Sequence, residues 1–340
     1  RKDKGYLPDL SLMKQNPNNL LGNPNQAYVP PVDPKLYFWE TLHQAGIPTN
    51  VVRWPMNFPA GGEGKALAGL GAPDLLGGMG RYTMFTTAPR DQFGEDVKGT
   101  ICPLEKDGAT FRASFQGPVR QTLMGKKPVS IDTSFAVDQD SVTVTLAGKT
   151  STTKQGEMSP WMAFDFSLGF GVNAEGMVAF LPVKVGPDTL TVYMTPLQLT
   201  PQKPLYPISS PESWSANLAE AIGTFHTLGM AEDTNALRDM VIDETSFLTL
   251  CERVMTATEE MLWHTLKNFD AGFSAVVFDT TDRIQHMFWR YIDEAHCLHG
   301  KFDQSQFQET ISQYYRRMDR IFAGVKEALC RPDDVFYVVS

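Results

Sequence analysis

Asp282 and His286 stand four residues apart in FSAVVFDTTDRIQHMFWRY, residues 273–291. On a helix, that spacing sets a carboxylate and an imidazole on one face, close enough to share one divalent cation. Such mixed hard and borderline donors suit zinc, manganese or iron better than calcium. The plainer alternative is an exposed i,i+4 pair on a helix with an acidic start. Asp279 reads either as a partner behind the ligands or as the helix N-cap. Arg283 either meets an anionic group or pairs with a neighbouring carboxylate, the commoner fate of an arginine. Two ligands do not complete a metal site.

These residues need a strand and a helix to place them. The apolar run Phe273–Phe278 predicts a strand, followed by a polar turn and the start of a helix. In an open α/β sheet, ligands bind at the carboxyl ends of the strands, where such turns lie. Further on, Phe307–Leu329 predicts a long helix and Val335–Val339 a second apolar strand, a βαβ order that implies parallel pairing.

Upstream, residues 1–34 are rich in Asn, Pro and Gly and read as extended. Pro34–Ala45 is amphipathic and closed by Gly46, and Asn50–Trp54 predicts a strand. Gly61–Gly80 reads as a glycine-rich loop. It lacks the Walker phosphate-binding pattern, so turns are the simpler reading. From Thr110 to Thr195 the pattern becomes β-type, with segments Thr110–Phe115, Ser141–Leu146, Met177–Val185 and Thr189–Met194. A helix and turn follow within 213–230. Thr245–Lys267 then predicts a long helix burying Phe247, Leu248, Leu250, Val254, Met255, Met261 and Leu262. The expected fold is α/β, with a mostly parallel sheet flanked by helices and an antiparallel β-rich insertion. Residues 1–105 and 206–340 would form the α/β core, the latter carrying the metal-ligand turn, and 106–205 the insertion.

Other candidates are weaker. His296-Cys297-Leu298-His299 groups three metal-capable side chains within four residues, too close for all to reach one tetrahedral ion. His43, His226 and His264 are isolated and read as hydrogen-bonded surface or boundary residues. No serine, histidine and acid set emerges from spacing, and no Gly-x-Ser-x-Gly elbow occurs. A net charge of -9, with only isolated basic pairs such as Lys126-Lys127 and Arg316-Arg317, argues against a nucleic-acid-binding patch. The 4 cysteines form no close pair, so no disulfide framework or structural zinc site is expected, and a reducing compartment such as the cytoplasm suits them. No apolar run reaches the roughly 18 residues of a membrane span, and no signal-peptide pattern opens the chain.

FDTTDRIQHMFWRY, the later YYRRMD and the terminal VFYVVS resemble the alkaline phosphatase superfamily. The likeness is to its predicted phosphohydrolase or phosphomutase branch, akin to type I phosphodiesterases and nucleotide pyrophosphatases. LGMAEDT and GAPDLLGG look like that branch too, so the resemblance runs over most of the chain. It implies two divalent metals, commonly zinc with manganese as an alternative, flanking a Ser or Thr nucleophile. It also implies a phosphorylated small-molecule substrate. Asp282 and His286 would ligate one ion, with Asp279 and Arg283 behind it or against substrate. By the same resemblance the nucleophile is expected upstream of residue 1 and an Asp-His pair after Ser340. The chain would then be the middle of a longer protein, inactive alone. A phosphomutase or sulfatase-like enzyme on the same fold is an alternative, as is a noncatalytic binding or scaffold protein whose β-rich insertion does the recognising.

Overall fold

A computed structural model describes residues 14–15, 27–30, 32–122, 125–169, 171–303, 305–329 and 331–340. In chain order, the short strands β1 (Lys14–Gln15) and β2 (Tyr28–Val29) precede α1 (Phe38–Gln44), β3 (Thr49–Trp54), β4 (Lys65–Ala68), β5 (Thr83–Thr86) and β6 (Thr100–Pro103). The β-rich stretch continues with β7 (Glu105–Asp107), β8 (Thr110–Thr122), β9 (Gly125–Asp138), β10 (Ser141–Leu146) and β11 (Lys149–Lys154). It closes with β12 (Met162–Gly169), β13 (Val172–Val178), β14 (Phe180–Val185), β15 (Leu190–Met194), β16 (Gln198–Leu199) and β17 (Ser209–Ser210). The last third holds α2 (Trp214–Ile222), α3 (Thr234–Arg238), α4 (Glu244–Lys267), β18 (Phe273–Val276), α5 (Thr280–Phe288) and α6 (Thr310–Ala328).

The sheet beneath the candidate site runs β17-β4-β3-β18. Its strands β4, β3 and β18 are mutually parallel, and β17 is antiparallel at one edge. Trp39 of α1 packs with Val51 and Ala66. Trp214 and Leu218 of α2 and Met261 of α4 pack with Val52 and Leu67. Neighbouring strand residues point to opposite faces, so this small sheet is clothed by α1 on one face and by α2 and α4 on the other. A second sheet, β14-β15-β5-β6, carries the largest helical layer. Phe247, Leu250 and Met255 of α4, Ile284 and Phe288 of α5, and Ile321 of α6 share one core with Met84, Leu181 and Tyr193.

The protein is thus a mixed α/β fold with several sheets and, among the described residues, six α-helices. Its sheets are largely antiparallel or mixed, and the mostly parallel sheet flanked by helices is seen only as the small four-stranded β17-β4-β3-β18. Turn chemistry gives the reason for the antiparallel pairing of the β-rich stretch, where an antiparallel insertion is expected. Ala147 and Gly148, at φ 48° and 77°, close a two-residue hairpin between β10 and β11, and such a turn permits only antiparallel pairing. The five-stranded sheet β11-β10-β9-β8-β7 is antiparallel throughout. Sheet β14-β15-β5-β6 joins residues on both sides of position 105.

Three segments differ from expectation. Residues 335–340 form no strand, and Val335 and Val339 are 68% and 91% exposed. Phe336 meets the ring of Phe322 at 6.0 Å, a contact too small to offset the ordering of five residues. Met177–Val185 is two strands instead of one. At Ala179 the chain passes from one sheet to another, its N–H donating to Thr195 Oγ1 and its carbonyl accepting from Thr195 N, both at 3.0 Å. The glycine-rich stretch contains β4, because Ala66, Leu67 and Ala68 are buried in the parallel sheet. The long helix matches closely: Asp243 caps α4 by accepting from Ser246 N at 2.8 Å, and all the expected stripe except Leu248 is buried.

Candidate metal centre

β18 ends at Val276, and after two further residues Asp279 opens α5. The turn therefore lies at the carboxyl end of a parallel strand, as the sequence pattern requires. α5 buries Ile284 and Phe288, so the opposite face points outward with Asp282 and His286. His286 Nε2 lies 3.3 Å from Asp282 Oδ1, and the two side chains are 71% and 55% exposed. The second oxygen of Asp282 accepts from Arg283 Nη1. Asp282, Gln285, His286, Trp289 and His296 line one shallow depression of about 400 Å³. An oxygen and an imidazole nitrogen are thus presented together to solvent, a donor set that fits half of one divalent site. Among the described residues no group of three or more His, Cys, Asp or Glu side chains is placed to hold a metal ion.

The other two expected site residues behave differently. Asp279 occupies the N-cap position of α5 yet makes no side-chain capping bond. Its Oδ2 accepts instead from Arg53 Nη2 at 3.0 Å, with the carboxylate 12% exposed and the arginine 2%. A cap of this type ordinarily contributes about 1 kcal/mol, so the carboxylate is diverted from its helix to an ion pair. Arg283 pairs with Asp282 and finds no partner for its buried Nε among the described residues.

Arg53 sits where β3 loses register with β4, between Val52 and Trp54, and adopts φ 57°. A left-handed conformation costs a non-glycine residue about 1–3 kcal/mol and persists only where its surroundings enforce it. Gly69 helps to do so: a Cβ there would fall inside the carbonyl of Arg53, and Gly69 N donates to Trp54 O at 3.0 Å. Gly229 in turn packs on the backbone of Gly69 and Gly71. These glycines serve close approach of backbones. The loop amides have acceptors of their own. Glu40 takes Glu63 N at 2.9 Å, and Asp74 takes Gly78 N at 2.7 Å. Burial raises the Asp74 carboxyl, and the N–H groups of Gly78, Leu76, Gly80 and Gly77 oppose that rise.

Arg53 Nη1 donates to Nε2 of the buried His226. Burial first, and then the charges of Arg53 and Arg253, hold this imidazole well below its ordinary pKa. The ring is therefore neutral, with Nε2 accepting and the proton on Nδ1, which has no partner among the described residues. The next residue of the turn is anchored separately: Thr280 Oγ1 donates to Glu232 Oε1 at 2.6 Å, and both residues are buried. Arg53 and Glu232 were not among the candidates drawn from sequence, and His226, expected as a hydrogen-bonded surface or boundary residue, is hydrogen-bonded but buried. A guanidinium inside the apolar run VVRW was the available signal, since arginine is almost never buried unpaired.

Of the remaining histidines, only His296 shares the depression with Asp282 and His286 among the described residues. His299 Nδ1 lies 3.0 Å from Arg290 O, and His296 Nδ1 accepts from Leu298 N at 3.1 Å. No protein-family model, no curated protein and no solved structure matches this chain. No helix among the described residues is long and apolar enough to cross a membrane.

Proposed function

We propose that this chain is part of a metal-dependent phosphoesterase related to the alkaline phosphatase superfamily. Asp282 and His286 would be ligands of one of two divalent ions, zinc or manganese, and the nucleophile would lie outside these residues. The observation that supports the reading is the 3.3 Å approach of His286 Nε2 to Asp282 Oδ1 on the outer face of a helix entered from a parallel strand. A pair of divalent ions supplies charge stabilisation for the attacking and leaving oxygens of a phosphoryl displacement. Arg283 donates to the second oxygen of Asp282 and leaves Oδ1 facing His286.

The test is hydrolysis of aryl phosphate mono- and diesters by the protein encoded by the full reading frame. His286→Ala should lower turnover by more than about 100-fold, while residues 1–340 alone should give none. Turnover unaffected by His286→Ala would overturn the reading.

One observation favours a second reading, a noncatalytic recognition protein. An open groove of about 960 Å³ lies on the β-rich region, its lining including Arg112, Arg120, Asp132 and Asp165. Binding of a ligand there, with neither metal nor turnover at α5, would favour it.

A further inference from the structure

We propose that Arg53 is the positioning residue of the metal turn. Its guanidinium, seated on His226, pins Asp279 and so sets the direction in which α5 presents Asp282 and His286. The inference rests on the reading of those two residues as ligands, but its structural part stands on separate observations. α5 has 9 residues, too few to persist by its own hydrogen bonds, so its position depends on what it touches. Ile284 and Phe288 bury its underside in the helical core, and such non-directional apolar contact fixes the buried face more firmly than the position along the axis. Among the described residues, the side-chain bonds that tie α5 and its N-cap to other elements lie at its start, while just past its end Arg290 and Tyr291 bond Glu244 of α4. Asp279 is bound to Arg53 from β3, and Thr280 is bound to Glu232 from the segment before α3.

Asp279 also gives up the capping bond that its type and position would otherwise supply, which is expected of a carboxylate committed to another partner. Arg53 itself is fixed from behind. Its backbone is in the left-handed region against Gly69, its Nη1 is on the neutral ring of His226, and its side chain is closed off from water. A neutral acceptor in that place lets the guanidinium keep its charge for Asp279 without a competing carboxylate. The ends of the two parallel neighbours β3 and β18 are thereby joined by a buried ion pair, one turn of helix before the first proposed ligand.

The experiment is amide hydrogen exchange of the full 340-residue chain, comparing α5 with α4, in Arg53→Met, Arg53→Lys and Asp279→Asn. Arg53→Met should speed α5 exchange by about tenfold or more while α4 stays within about twofold. Arg53→Lys, which keeps a cation beside Asp279, should recover most of the loss. Asp279→Asn should reproduce Arg53→Met, and the double variant should add nothing further. Unchanged α5 exchange, or α4 and α5 accelerating together, would overturn the proposal. So would a lysine variant no better than methionine. If Arg53→Met does not fold, Asp279→Asn carries the same comparison from the less buried partner. A parallel zinc titration read at the His286 imidazole separates the two readings. Zinc that fails to bind there in the product of the full reading frame, which would supply the remaining ligands, sinks the phosphoesterase reading and leaves the exchange result to decide the role of Arg53.

Discussion

At the scale of single residues, the chain buries charge in a few places and satisfies it unevenly. Arg53 and Asp279 form one such place, and Asp233 is another. Asp233 accepts from Tyr193 Oη at 3.0 Å and caps α3 by accepting from Ala236 N at 2.9 Å, yet burial pushes its carboxyl from 3.8 up to about 6. The unfolded chain releases this proton near pH 3.8 and the folded chain near pH 6, so between those values the folded state binds more protons. The stabilising contribution is complete below pH 3.8 and is lost as the pH rises through 6. Relative to Asp233→Asn, the unaltered protein should gain roughly 2 kcal/mol on going from pH 7 to pH 4. Urea unfolding at those two pH values measures the difference, and parallel pH dependence in the two proteins would contradict the assignment. The sequence showed Asp282 and His286 because helical spacing is local. It could not show that Asp279 turns away from its own helix to Arg53, since that partner is 226 residues distant.

At the scale of elements, strands and helices were legible wherever period and punctuation agreed. α4 came through with its buried stripe, and Ser141–Leu146 matched β10 to the residue. Failures fell where a strand's partner decides its fate. β4 is short and flanked by glycine, so only its place between β3 and β17 makes it a strand. Val335–Val339 has strand composition but no such place. The same logic makes Gly69 critical, because it lets β4's end approach the left-handed Arg53. Gly69→Ala should destabilise the protein by about 2 kcal/mol or more, since the colliding atoms are backbone. Thermal or urea unfolding would show it, and a change below about 0.5 kcal/mol would mean that the junction yields without strain.

At the scale of the whole molecule, the order of the expected elements gave the α/β class and the net charge argued against a nucleic-acid partner, but neither could assign strands to sheets. Alternation marks a strand and its buried face, while its neighbours are chosen by turns and packing far along the chain. The result is a small three-stranded parallel segment, extended by β17, beside antiparallel and mixed sheets. It places Asp282 and His286 at the sheet's carboxyl end over a buried ionic support. The account therefore stands on whether that end of the molecule holds metal. The direct measurement is the divalent metal content of the full reading frame's product purified without chelator, beside that of His286→Ala. Bound zinc or manganese that falls in the variant is the predicted result. Metal-free protein, or a content that His286→Ala leaves unchanged, would contradict it.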